Sequence, residues 1–333
     1  MSNYINKIIT SLFIVIIVII FWYIRDINSL LAIDARLHSK YLPVSDLAKY
    51  NADYLDPAFG NLKDPGYIFI TILFKNIGIS FKFFLFSVIF SFYSIFLLIF
   101  NRLTLCNKWY INFFLLLGLS LWMQPLVTVA FRQGIAFIIL IFFLFSKDNF
   151  SFLTKLFIVF LVSSIHLSAI ILLPYILFEK YFINKVKFVD ILFIITFIIY
   201  FIGVTYFFSD LLVDVATYLG IDLRAFTNDV SNYKTGFSIY KALAIIIPLL
   251  LFRFTKFSNQ NFLGRRMYIF YIYVCICGMF LSEFPYHDRV LLYAWGISPI
   301  FISCFIITLL VFLTKNIYIK DKNYYFNNLK NKN

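Results

Sequence analysis

Three observations predict an all-α fold, a polytopic membrane helix bundle with about ten transmembrane crossings. The first is composition: 62% of the residues are hydrophobic and 14% are charged, where a soluble domain carries about 25% charge. The second is a succession of apolar runs near the roughly twenty residues that a helix needs to cross hydrocarbon. The third is charge, because one arrangement of those runs collects the whole basic excess on one side of the membrane. A single integral membrane domain, 1–333, is expected, with outer loops at about 25–64 and 209–236. There is no soluble domain, internal repeat or low-complexity tract.

Taken in order, the first run is Ile8 to Ile24, closing on Phe21-Trp22-Tyr23 and Arg25 without a small-residue cleavage site. It reads as a retained span with an interfacial aromatic belt, not a removed signal peptide. Pro65 to Gly78 is amphipathic and too short to span comfortably, which suits an interfacial or re-entrant helix leading into a span at 81–100. Further spans are expected at 109–123, 130–146, 188–208, 237–253, 266–283 and 289–313. Between them, Phe152 to Phe178 is long for one crossing and short for two.

Charge resolves that stretch, since cytoplasmic loops collect Lys and Arg. If it forms two short helices meeting near Ser163 to His166, the cytoplasmic side holds seventeen of the 29 basic residues and four of the 16 acidic ones. Twelve of each are then left outside, and the net charge of +13 is wholly cytoplasmic, with both termini inside. A single crossing would put the basic loops around Lys185 and Arg265 outside. Topology and anionic lipid thus account for the basic excess, and no nucleic-acid partner is required.

The outer face receives the two long loops, which are rich in Asp, Asn and Tyr. Such loops suit carbohydrate, because aromatic faces stack on sugar rings while Asp and Asn bond hydroxyls; the alternative is an ordinary solvated connector. The same face receives three polar helix starts. Phe131-Arg132-Gln133-Gly134-Ile135-Ala136 opens an apolar helix that runs to Phe145. A helix N-terminus is locally positive and Arg132 adds a full charge, so this end suits an anion, with Thr128 as a cap. Its alternative is an arginine that snorkels to lipid headgroups. His287-Asp288-Arg289 repeats the pattern, with Asp288 placed to cap and Arg289 in the first turn, unless the two only form a local pair. His166 stands among Ser163, Ser164 and Ser168 at the third start. Its pKa near neutrality makes it a natural proton acceptor, unless it is a satisfied structural histidine; His287, Asp34 and Glu283 are alternatives for that role.

Cys106, Cys275, Cys277 and Cys304 form no CxxC pair and have no histidine at ligand spacing, which excludes a zinc site and a disulfide framework. Neither a metal nor a cofactor is expected. The absence of a Gly-rich phosphate loop and of hydrolase or zincin motifs argues against an ATP-driven transporter or a nucleotide-sugar transferase. Ionisable residues confined to helix ends do not make the midplane relay of a proton-coupled carrier.

Together these marks resemble the EpsG family of bacterial exopolysaccharide membrane proteins, which belongs with the Wzy-type polysaccharide polymerases. The resemblance is carried by the block Phe131 to Ala136, by Ser164-Ile165-His166-Leu167-Ser168-Ala169-Ile170, and by Asp288-Arg289 with Tyr293. Asp64-Pro65-Gly66-Tyr67 with Gly78-Ile79-Ser80 adds to it. It covers most of the chain, although the first outer loop, with Asp34, Asp46, Tyr50 and Asp53, departs from an Asp-then-Tyr signature.

The resemblance implies a GT-C-like glycosyltransferase in the bacterial cytoplasmic membrane, polymerising exopolysaccharide, capsule or O-antigen. It would join oligosaccharide repeats carried on undecaprenyl diphosphate at the outer face, by inverting displacement. The implied catalytic residues are Arg132 and Arg289 as a diphosphate clamp and His166 as base. Arg224, Gln133, His287, Asp288 and Asp34 would bind substrate. The implied partners are the lipid-linked oligosaccharide, membrane lipid and a chain-length regulator. Rival expectations are a glycan ligase, a flippase of the lipid-linked repeat and a membrane acyltransferase.

Overall fold

The structure is a computed structural model that describes residues 64–104, 130–145, 150–218, 235–255, 257–284 and 287–313. It also describes isolated positions 8, 9, 12, 15, 16, 19, 20, 50, 51, 54, 55, 112, 115 and 126. Every regular element among the described residues is helical. In order they are α1 (Pro65–Asn76), α2 (Phe81–Thr104), α3 (Phe131–Phe145), α4 (Phe152–Ile165), a 3-10 turn (Leu167–Leu172) and α5 (Leu173–Asn184). Then come α6 (Val186–Ile202), α7 (Thr205–Tyr218), α8 (Ile239–Arg253), the short α9 (Phe257–Gln260), α10 (Phe262–Phe280) and α11 (His287–Trp295). After a turn at Gly296 and Ile297, α11 continues as helix to 313.

Local chemistry sets several of these ends. Pro65 occupies the first turn of α1, where its missing N–H costs no helical bond and its fixed φ suits the helix. The Thr154 amide donates to Ser151 Oγ at 3.1 Å to start α4. Asn261 Oδ1 accepts from the amides of Leu263 at 2.9 Å and Gly264 at 3.4 Å to start α10. Caps of this kind contribute about 1 kcal/mol each.

The stretch from Phe152 breaks where charge required a break. His166 leaves the helix with φ −154 and ψ 114, and the 3-10 turn with α5 folds back against α4. The expected span 188–208 is shorter in the structure: α6 stops at a left-handed Gly203 with φ 78, and Thr205 begins a new helix. α1 (Pro65–Asn76) takes up most of the stretch Pro65 to Gly78, and α3 (Phe131–Phe145) lies within the span expected at 130–146.

The buried middle of the bundle is α10, which packs on α3, α5, α6, α7, α8, α9 and α11. Of its apolar window 78% is buried, against 50% or less for the other three helices long and apolar enough to span. The outward surface is apolar instead: Ile191, Ile194, Ile195 and Ile198 of α6 are all half or more exposed. Contiguous exposure on this scale marks a surface made for lipid, and the chain is an integral membrane protein. The described positions from Ile8 to Ile20 are helical as well, with Val15 and Ile19 buried and Ile16 and Ile20 exposed.

At one end of the bundle, ion pairs bind the helices together. Glu179 of α5 accepts from Lys155 Nζ of α4 and from Arg266 Nε of α10 at 2.9 Å, with Arg266 Nη2 at 2.8 Å. Arg266 is 1% exposed, so this carboxylate is what allows a full charge inside the bundle. Nearby chemistry repeats at Asp190 of α6, which takes Arg253 Nη2 at 3.2 Å and the Tyr268 hydroxyl at 2.7 Å.

Candidate functional site

The other end of the bundle gathers the polar helix starts. α4 carries the chain from Lys155 to the break at His166, a rise of about 16 Å at the usual helical pitch. At that break α4 meets α1, because Gly66 has no side chain: a Cβ there would lie 2.3 Å from Ser164 Oγ and 2.9 Å from the Ser164 carbonyl carbon. Gly134 performs the same service for α3, where a Cβ would lie 2.3 Å from the Leu126 carbonyl oxygen. The glycines of both motifs are there for close backbone approach.

Arg132, in the first turn of α3, is held by a carboxylate. Its Nη1 donates to Asp64 Oδ2 at 2.6 Å, just ahead of α1. Its guanidinium lies 5.8 Å from the Tyr50 ring centre and 6.0 Å from that of Tyr67, an arrangement in which ring quadrupoles support the cation. The Tyr50 and Tyr67 rings both also pack against Phe131. Arg132 Nε is buried and has no hydrogen-bond partner among the described residues, which leaves one directed donor unused.

Gln133 joins α3 to α11. Its Nε2 donates to the backbone carbonyl of Arg289, and since a carbonyl can only accept, the amide's orientation is fixed. Its Oε1 is therefore turned away, buried and without a partner among the described residues. Gln133 itself is fully buried.

His166 completes the cluster. Its Nδ1 lies 2.7 Å from Ser168 Oγ, which lies 3.2 Å from the Tyr293 hydroxyl of α11. Burial, and then the charges of Arg289 and Arg132, push the imidazole down to about 3; it is neutral at physiological pH. Asp64 feels the same two arginines, yet burial outweighs them and holds its carboxyl above the usual carboxylate range. Asp64, Arg132, His166 and Arg289 thus share one electrostatic environment, with the Asp288 carboxylate beside the Arg289 amide.

The remaining residues singled out in the sequence divide. His287 is 2% exposed and both its ring nitrogens are engaged: Nε2 accepts from Lys241 Nζ at 2.8 Å, and Nδ1 faces the Phe284 carbonyl at 3.0 Å. Asp288 lies inside the first turn, where its Oδ1 accepts from the Arg289 amide at 3.1 Å; the helix begins one residue earlier, at His287, so Asp288 is not the cap. Glu283 accepts from the Thr205 hydroxyl at 3.1 Å. Arg224, Asp34 and Thr128 lie outside the described residues. Among the described residues there is no group of three or more His, Cys, Asp or Glu side chains that would hold a metal ion.

Sequence reasoning assigned Asp64 no role, although it is ion-paired with Arg132 at 2.6 Å. The one local signal was an acid directly ahead of a Pro-led amphipathic helix. Lys241 was also missed, being a single lysine in the first turn of an apolar run.

Residues 12–326 match the model of the EpsG family. No curated protein and no solved structure matches the chain.

Proposed function

This chain belongs to the EpsG family, a family of Wzy-type polysaccharide polymerases, and on that footing we propose that it joins glycan repeats carried on undecaprenyl diphosphate. The reaction takes place at the outer face of the bacterial cytoplasmic membrane and builds an exopolysaccharide, capsule or O-antigen chain. The observation that supports this most is the hydrogen bond from Gln133, the neighbour of Arg132, to the backbone carbonyl of Arg289, which ties two arginine-bearing helix starts together.

A hydroxyl oxygen of the acceptor sugar bonds to the anomeric carbon of the donor. The bond from that carbon to the diphosphate oxygen breaks, and its electron pair leaves on the diphosphate. Inversion follows from attack opposite the leaving group. Arg132 and Arg289 hold the diphosphate as charge develops on it, arginine being suited to bidentate contact with phosphate oxygens. The unused Nε–H of Arg132 is one such donor. The hydroxyl proton passes to a base on the same face, where Asp64 and His166 stand. Gln133 braces the two helix starts against each other, Arg224 and Asp34 are assigned to substrate binding, and Asp288 and His287 support the start of α11.

The test is reconstitution. Purified protein in vesicles, given undecaprenyl-diphosphate-linked repeats, should yield a ladder of joined repeats and release undecaprenyl diphosphate. Movement of the lipid across the bilayer without joining would replace this function with that of a flippase.

A further inference from the structure

The hydrogen-bond chain Tyr293–Ser168–His166 has one arrangement in which every hydrogen is used. Tyr293 is fully buried, and among the described residues Ser168 Oγ, at 3.2 Å, is the hydrogen-bond partner of its hydroxyl. A buried phenol with one partner must donate to it or leave its own hydrogen unsatisfied. Tyr293 therefore donates to Ser168. Ser168 then has one other partner, His166 Nδ1 at 2.7 Å, and its hydrogen goes there. Reversing the chain, so that Nδ1–H donates to Ser168, leaves the hydrogen of either Ser168 or Tyr293 without an acceptor among the described residues. Nδ1 thus accepts, and a neutral ring that accepts at Nδ1 carries its proton on Nε2.

That nitrogen forms no hydrogen bond to a described residue, and the ring stands within the fields of Arg289 and Arg132. Two cations beside an imidazole oppose its taking up a proton and favour its acting as a donor. His287 presents no comparable nitrogen, since Lys241 and the Phe284 carbonyl occupy both sides of its ring.

We infer that His166 acts as a neutral hydrogen-bond donor, through Nε2–H, to an oxygen of the lipid-linked diphosphate, with Ser168 and Tyr293 as positioning residues that fix its tautomer. The inference rests on the diphosphate substrate proposed above and deepens it. His166 then works beside the two arginines on the leaving group and transfers no proton. The acceptor hydroxyl's proton goes to the Asp64 carboxylate, which is released from Arg132 Nη1 as phosphate oxygens take its place.

Two measurements test this. With 15N-histidine-labelled protein in nanodiscs, the His166 signals are identified by difference against His166→Gln. They should show a protonated Nε2 and a bare Nδ1 without ligand, and Ser168→Ala should remove that preference. A protonated Nδ1 in the wild-type chain would overturn the inference.

The second measurement is binding of undecaprenyl diphosphate to the same nanodiscs. His166→Gln and His166→Asn offer an N–H but cannot accept a proton; the better of the two should bind within about threefold of wild type. His166→Ala should lose about 10- to 100-fold, the weight of a hydrogen bond to a charged group. Equal loss in all three variants would overturn the donor role. Arg132→Ala separates the two levels of inference: undiminished binding in that variant overturns the diphosphate substrate itself, whereas the ligand-free tautomer measurement judges only the hydrogen-bond chain.

Discussion

Replacing Gly66 by alanine adds one carbon at the contact that sets α1 against the His166 break. That carbon would stand 2.3 Å from Ser164 Oγ, 2.9 Å from the Ser164 carbonyl carbon and 3.0 Å from Ile165 Cγ1. The hydroxyl can rotate away, but the backbone carbon cannot, and ordinary carbon contacts begin near about 3.5 Å. α1 must therefore retreat from α4 by at least about half an ångström, at a cost of about 1–3 kcal/mol for an overpacked interior. Asp64, directly ahead of α1, moves with it and strains the 2.6 Å ion pair to Arg132. Misplacement of a catalytic group by about 1 Å can cost about 100-fold in rate, so Gly66→Ala should lower chain extension more than its modest loss of thermal stability suggests. Adding Ser164→Gly relieves the hydroxyl contact and leaves the backbone one, so it should restore only part of the activity. Polymer yield in cells and a thermal ramp of the detergent-solubilised protein measure both effects. Wild-type yield together with wild-type stability in Gly66→Ala would refute the close approach of α1 and α4.

Other outcomes follow from the ionic groups. Glu179→Gln keeps the shape and removes the charge that Lys155 and the 1%-exposed Arg266 share; the loss should be about 3–5 kcal/mol, and an unchanged melting curve would contradict it. Asp64 is held above the ordinary carboxylate range by burial, so the folded protein binds this proton more tightly than the unfolded chain does. Through this group the fold is stabilised by acid, and that contribution is lost as pH rises past the raised folded value. Melting of wild type relative to Asp64→Asn, followed upward from about pH 4, should therefore decline, and a rising difference would refute the burial argument. A cysteine at Asn184, the last residue of α5, should resist an impermeant thiol reagent in intact cells; ready labelling would overturn the cytoplasmic placing of that turn.

Much of this was legible because membrane helices leave strong local marks. The run from Phe131 to Phe145 is apolar behind a polar mouth, and Pro65 to Gly78 carries its own start and stop. The break at His166 was weaker, visible only because the charge balance asked for a second crossing and the serines offered a place for it. Pairings between helices were not legible. Arg132 and Asp64 are 68 residues apart, and Gln133 and Arg289 are 156 apart; no periodicity links them. Glu179 stands in the sequence as one acid beside Lys180 and Lys185, whereas in the fold it is the buried partner of two cations, because a solvated carboxylate and a clamped one have the same letter. The end of α6 at Gly203 was missed for a related reason, since the apolar run continues through it and hydropathy does not register a left-handed residue.

The proposed diphosphate site depends above all on Arg132. Arg132→Ala, expressed in cells and inserted at the wild-type level, should stop chain extension and let single lipid-linked repeats accumulate. Polymer of normal length and amount from that variant would contradict the proposal.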